Sequence, residues 1–200
     1  MTDAFVYSHS RARRHGPAGY DGYSSYRPWL RDEFTFRCVY CLVREEWGRL
    51  TGEFDLDHFQ PQANRPDLTT EYDNLVYACH TCNLRKSDTE TFDPENCMTK
   101  NLVRVYPSGH IEGLSLQARG IIARLGLDSP KFRKWRLLWI RNVDLAKQHD
   151  SDQYKRLLSF PDHLPDLSRL EPVSNSKPGG IRESYFAVRS RGALPEYYVE

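Results

Sequence analysis

Apolar and polar residues alternate through "FDLDHF" (54–59), the period of a half-buried strand, with a Thr-Gly turn just before it. The short apolar run "LVYAC" (75–79) predicts a second strand. Between them "QPQANRPDLTTEYDN" is dense in Pro, Asn and Asp and predicts a loop. "HTCNLRKSD" has few breakers and predicts a short helix, so the order here is strand, loop, strand, helix. Another short helix is expected within 29–50. Further on, "VRVY" and "HIEGL" flank a Pro-Ser-Gly turn and predict a hairpin. Ser115 is placed to cap a helix with Leu116, Ile121, Ile122 and Leu125 near helical spacing, and Gly126 is placed to stop it. Asp128 and Pro130 open a longer helix whose apolar stripe includes Phe132, Trp135, Leu138, Trp139 and Val143. Those aromatics are assigned to the core rather than to stacking on a ligand. Lys131, Arg133, Lys134, Arg136 and Arg141 lie mainly around the other faces and are candidate DNA contacts together with Arg85, Arg141 excepted.

The two ends lack a steady period. Residues 1–28 are rich in Arg, Gly, Ser and Tyr and read as a mobile or partner-ordered arm. Its Arg11, Arg13 and Arg14 either touch phosphates or form a solvated charge run. Residues 161–200 are Pro-rich at first and read as an extended tail with at most one strand, its aromatics docking on the body or on a partner. A core at 29–97 and a hairpin with basic amphipathic helices at 98–160 lie between.

Composition narrows the class. The chain of 200 residues suits one domain with extensions, and 25 aromatic residues are too many for a disordered chain. No apolar run is long enough to span a membrane, and the N-terminal stretch lacks the apolar region of a secretory signal, so a cytoplasmic protein is expected. The formal net charge is +1, yet residues 51–100 hold 4 Lys/Arg against 10 Asp/Glu and residues 101–150 hold 9 against 4. An acidic block before a basic one suits a cation site beside a phosphate-binding surface, or is chance segregation on a solvated surface.

The five cysteines change the picture more. Cys38 and Cys41 form "CVYC", Cys79 and Cys82 form "CHTC", and Cys97 is left over as a free, partly buried thiol. Two such pairs supply the four thiolates of a tetrahedral structural zinc site. A redox role needs only one pair and a thioredoxin-like context that is absent; an iron–sulfur cluster remains an alternative. The 37 residues between the pairs exceed an ordinary zinc ribbon, and they carry Asp57, His58 and Asn74, with Asn83 and Lys86 just beyond.

The run C-x-x-C … D-H … D-N-L … C-x-x-C-N-x-x-K, on Cys38, Cys41, Asp57, His58, Asn74, Cys79, Cys82, Asn83 and Lys86, resembles the zinc-stabilised HNH endonuclease family over about residues 36–90. The resemblance implies an α+β fold: a ββα-metal core with a four-cysteine zinc site and a helical C-terminal extension. It implies that Asp57 ligates a catalytic cation, with Asn83 as second ligand, that His58 is the general base, and that Asn74 holds the loop and the histidine. Lys86, one turn beyond Asn83, can reach the same face. Asn at 83 suits a hard cation, Mg²⁺ or Mn²⁺, rather than catalytic zinc. Implied too are DNA as substrate, 5′-phosphate and 3′-hydroxyl products, and a setting such as bacterial restriction or phage defence. Two alternatives stay open: a nuclease subunit inert until a partner such as an ATPase presents DNA, and a non-catalytic zinc-ribbon binding module. A dimer suits double-strand cleavage, because one such site cuts one strand per engagement.

One point resists a plain strand. Alternation sends Asp57 and His58 to opposite faces, so the strand is expected to end or bend there. Asp55, on the face of Asp57, is expected to be a supporting acid or a solvated residue. His80 is expected to be exposed, and His110 to be a turn residue.

Overall fold

The computed structural model describes residues 3–9, 12–48 and 54–198; Arg11 and the Thr-Gly turn at 51–52 lie outside them. Two strands and a helix form the centre. β2 (Phe54–His58) and β3 (Leu75–Cys79) pair antiparallel, with Asp55 opposite Ala78, Asp57 opposite Val76 and His58 opposite Leu75. A two-residue strand, β1 (Pro17–Ala18), precedes them in the chain. Leu75, Val76, Tyr77 and Ala78 are all buried, because α1 (Arg27–Glu33) packs on β3 while α3 (His80–Lys86) packs on both strands. A strand covered on both faces needs an apolar run rather than an alternation, which is what "LVYAC" supplies. The short helix α2 (Glu45–Gly48) follows the first cysteine pair.

The C-terminal half builds on this centre. After α4 (Pro94–Cys97), β4 (Val103–Val105) and β5 (Ile111–Gly113) make the expected hairpin. α5 (Leu116–Leu125) is capped by Ser115, whose hydroxyl accepts from the Ala118 N–H at 3.1 Å, and it stops at Gly126 with φ of 60°. α6 (Pro130–His149) and α7 (Ser151–Leu158) pack on each other. The Trp139 ring stacks on Trp47 at 4.3 Å between centroids, joining α6 to α2. No described helix is long and apolar enough to cross a membrane.

Four expectations need correction. The N-terminal segment is not a free arm: Ala4, Phe5 and Tyr7 are core residues, and the Phe5 ring meets Trp47 and Trp135. Arg13 and Arg14 point inward. Arg13 is buried and donates to the Tyr72 and Leu75 carbonyls, each at 2.8 Å, and Arg14 pairs with Asp32 at 2.9 Å. The tail has the one strand expected, β6 (Ser174–Asn175), which pairs with β1, and it docks on the body, Tyr198 donating its N–H to the Leu158 carbonyl at 2.9 Å; the departure is α8 (Tyr185–Ser190), a helix where extended chain was expected. The buried stripe of α6 runs through Phe132, Arg136, Ile140 and Val143, so Leu138 lies outside at 56% exposure, and on α5 Leu116 is 78% exposed. A charged residue on the core stripe disguises its register.

That residue is also the fourth correction. Arg136 is no DNA contact: it is 1% exposed and donates to the Gly109 and Leu127 carbonyls. It staples the β4–β5 hairpin turn and the α5–α6 turn to α6. Arg136→Ala leaves two buried acceptors unpaired and a void, so thermal unfolding should show a loss of about 3 kcal/mol. Lys134→Ala, on the exposed side of the same helix, should leave the unfolding midpoint unchanged.

Candidate active site

The four paired cysteines meet. Their sulfurs all lie within 4.8 Å of one another, and Cys41 Sγ is 3.7 Å from Cys79 Sγ. A disulfide needs about 2.05 Å. A zinc ion with Zn–S bonds of about 2.3 Å in tetrahedral array sets sulfur–sulfur edges of about 3.8 Å. The cluster therefore fits structural zinc. Burial pushes the Cys41 thiol up, whereas hydrogen bonds led by that of Cys38 pull Cys79 down, as expected where crowded sulfurs share negative charge. The first knuckle closes through Leu42, which donates to the Cys38 carbonyl at 2.9 Å and sits at φ of 62° in the left-handed region. Cys97 is a free, buried thiol apart from this cluster.

The first cysteine pair precedes β2 and the second lies at the junction of β3 and α3, so a bound ion would set the helix across one face of the hairpin. Asp57 points at that helix. Its Oδ1 pairs with Lys86 Nζ at 2.9 Å and its Oδ2 accepts from the Tyr40 hydroxyl at 2.7 Å; Asp57 is 3% exposed and Lys86 1%. Burial raises the Asp57 pKa, opposed by the Lys86 ammonium. Asn83, one turn before Lys86, donates its amide to Asp55 Oδ2 at 3.0 Å. His80 shares that acceptor at 2.9 Å.

His58 ends β2 and meets the loop that follows. Its Nε2 is 2.8 Å from the Thr69 carbonyl, and the Gln62 amide nitrogen lies 3.2 Å from both Nδ1 and Nε2. A carbonyl only accepts, so Nε2 carries the hydrogen and Nδ1 keeps the lone pair. Burial lowers the His58 pKa, opposed by the Thr69 carbonyl. The Tyr23 ring stands edge-on to the imidazole at 4.9 Å. Asn74 pins the loop that follows: its Oδ1 accepts from the Gln60 N–H and its Nδ2 donates to the Gln60 carbonyl, both at 3.0 Å.

The strand does not bend between Asp57 and His58. Regular pairing continues to His58, and the bend comes at Phe59 and Gln60. Both residues sit at the very end of the strand, near enough for the charge of each to act on the other. Asp55 is half-buried and plays the supporting part expected of it, holding both Asn83 and His80. His110 is more than a turn residue: its Nδ1 is 2.8 Å from Asp128 Oδ1.

The match with known proteins follows this geometry. Residues 38–89 match the HNH endonuclease family. The chain carries an HNH domain. That domain implies nucleic-acid binding and nuclease chemistry. A search of curated proteins found no match. The HNH segment spans both knuckles and every residue of the candidate site except Tyr23.

Sequence reasoning passed over Tyr40, Gln62, Thr69 and Tyr23. Tyr40 lies inside the "CVYC" knuckle, so a hydroxyl beside the metal clamp was a readable signal. Thr69 acts through its backbone carbonyl, which leaves no trace in residue type. Among the basic candidates, Lys131 and Lys134 are exposed, Arg133 pairs with Asp128, and Arg85 lies over Phe132 at 5.0 Å while donating to the Leu125 carbonyl at 3.0 Å.

The Cys79→Ser protein should lose its zinc, read by metal analysis of the purified chain, and amide exchange across β2 and β3 should rise to that of an unfolded segment. A zinc-free variant with native protection would refute the clamp.

Proposed function

We propose that this protein is a metal-dependent DNA endonuclease that hydrolyses phosphodiester bonds, with His58 as general base. The observation that carries the reading is the 2.8 Å contact between His58 Nε2 and the Thr69 carbonyl, which an Nε2–H satisfies and which leaves Nδ1 able to take a proton. Asp57 and the Asn83 carbonyl oxygen would hold one divalent cation. They fit it: the donors are oxygen only, and each Asp57 oxygen keeps a lone pair beyond its bond to Lys86 or Tyr40. When bound, Mg²⁺ or Mn²⁺ supplies charge neutralisation at the phosphoryl and leaving oxygens.

The chain's own groups do the rest. His58 Nδ1 takes a proton from water as its oxygen attacks phosphorus. The bond to the 3′ oxygen breaks, and that oxygen leaves protonated by solvent, giving 5′-phosphate and 3′-hydroxyl ends. Lys86 adds positive charge beside Asp57. Asn74 keeps the loop that backs His58 in register. Lys131, Arg133, Lys134 and Arg85 are the cations proposed to meet the DNA backbone.

A second reading has one observation in its favour. Asp57, His58 and Lys86 are 3%, 7% and 1% exposed. In that reading the nuclease is inert until DNA or a partner, such as the ATPase of a defence complex, opens the site, and Gln62 leaves Nδ1.

Wild-type protein should nick plasmid DNA with Mg²⁺ or Mn²⁺ and not with chelator. His58→Ala should lower the rate at least about a hundredfold while zinc content and unfolding midpoint hold. Equal Mg²⁺-dependent cleavage by wild type and His58→Ala would rule out the base. The pH profile supplies another test. The base works deprotonated, and burial lowers its pKa, so the neutral form persists below the ordinary histidine value of about 6.5. The rate should therefore rise with pH, flatten before that value, and fall only in more acidic buffer. A half-maximal point above it would contradict the assignment.

A further inference from the structure

Asp55 and Asp57 stand two residues apart on the face of β2 that α3 crosses, opposite Ala78 and Val76. At about 3.3 Å of rise per residue, that places their Cα atoms roughly 7 Å apart. Asn83 and Lys86 are one helical turn apart, and each meets one acid: Asn83 meets Asp55, and Lys86 meets Asp57. Asp55 Oδ2 accepts twice, from Asn83 Nδ2 at 3.0 Å and from His80 Nδ1 at 2.9 Å.

A carboxylate accepts and does not donate. The amide of Asn83 must therefore turn its NH₂ to Asp55, and its carbonyl oxygen faces the other way. An amide can flip, and the flipped form would offer a cation two N–H groups. We infer that Asp55 is a positioning residue that locks the Asn83 amide in the one orientation able to bind the catalytic cation, with His80 steadying the Asp55 carboxylate. The inference rests on the ligand role proposed above for Asn83.

A structural explanation competes. An acid near the N-terminus of α3 also favours the helix through its dipole. The two differ in what happens when position 83 no longer has two unlike ends. A carboxylate presents oxygen either way round and needs no orienting. Removing Asp55 should hurt cation binding only while residue 83 is Asn.

The test is Mn²⁺ affinity of the full-length, zinc-loaded, DNA-free chain, measured by calorimetry and by the Mn²⁺ resonance signal, with the unfolding midpoint alongside. Asp55→Ala should weaken Mn²⁺ binding by about tenfold to a hundredfold, the range for losing a group that orients a ligand. In an Asn83→Asp background the same Asp55→Ala change should leave binding unweakened, or strengthen it by removing a like charge. An equal loss in both backgrounds, or no loss in the natural one, overturns the inference while Asn83 remains a ligand. If Asn83→Ala binds Mn²⁺ as tightly as the wild type, the ligand role itself fails, and the inference goes with it.

Discussion

Four sulfurs within 4.8 Å of one another are the constraint on which this structure turns. Crowded thiolates repel, and a bound cation turns that repulsion into a cross-link. It joins the loop before α2 to the junction of β3 and α3. The join does more than hold two loops together. Tyr40 sits inside the first knuckle and its hydroxyl reaches Asp57, while Val39 donates its N–H to the Tyr77 carbonyl at 2.9 Å. Clamping the knuckle therefore fixes α3 against β2, and with it which helix residue meets which strand acid.

The surrounding segments support the same few atoms. Arg13 donates to the carbonyls of Tyr72 and Leu75 on either side of Asn74, and Asn74 in turn grips the Gln60 backbone just past His58. A residue from the N-terminal segment thus steadies the loop behind the candidate base. The Trp47–Trp139 stack and Phe5 between Trp47 and Trp135 tie α6 and the chain's beginning to the HNH segment. The extensions are part of one core, which is why a segment without period in its sequence is nevertheless ordered against the body.

Both acids of β2 show how charge is managed in a small domain. Burial raises the Asp57 pKa, and Lys86 and Tyr40 offset the cost of leaving water. Asp55 remains nearer the surface and divides one oxygen between His80 and Asn83. Two like residues on one face serve different ends because the helix above them presents an ammonium at one turn and an amide at the other.

Much of this was legible in the residues. The knuckle spacing, the strand–loop–strand–helix order, the hairpin at 103–113 and the Ser115 cap depend on local chemistry: turn residues, capping hydroxyls and alternation. The roles of Asp55, Thr69 and Arg136 were not legible. Asp55 and Asp57 look alike in a strand, and only the placement of α3 tells them apart. Thr69 contributes a carbonyl that every residue has. Arg136 breaks the apolar stripe of α6, and nothing short of the packed turns at Gly109 and Leu127 shows that its charge faces inward. The sequence by itself determined which groups were present and which short segments would form. Only the tertiary structure decided which groups meet, because partners as far apart along the chain as Asp55 and Asn83, or Arg13 and Leu75, are chosen by packing.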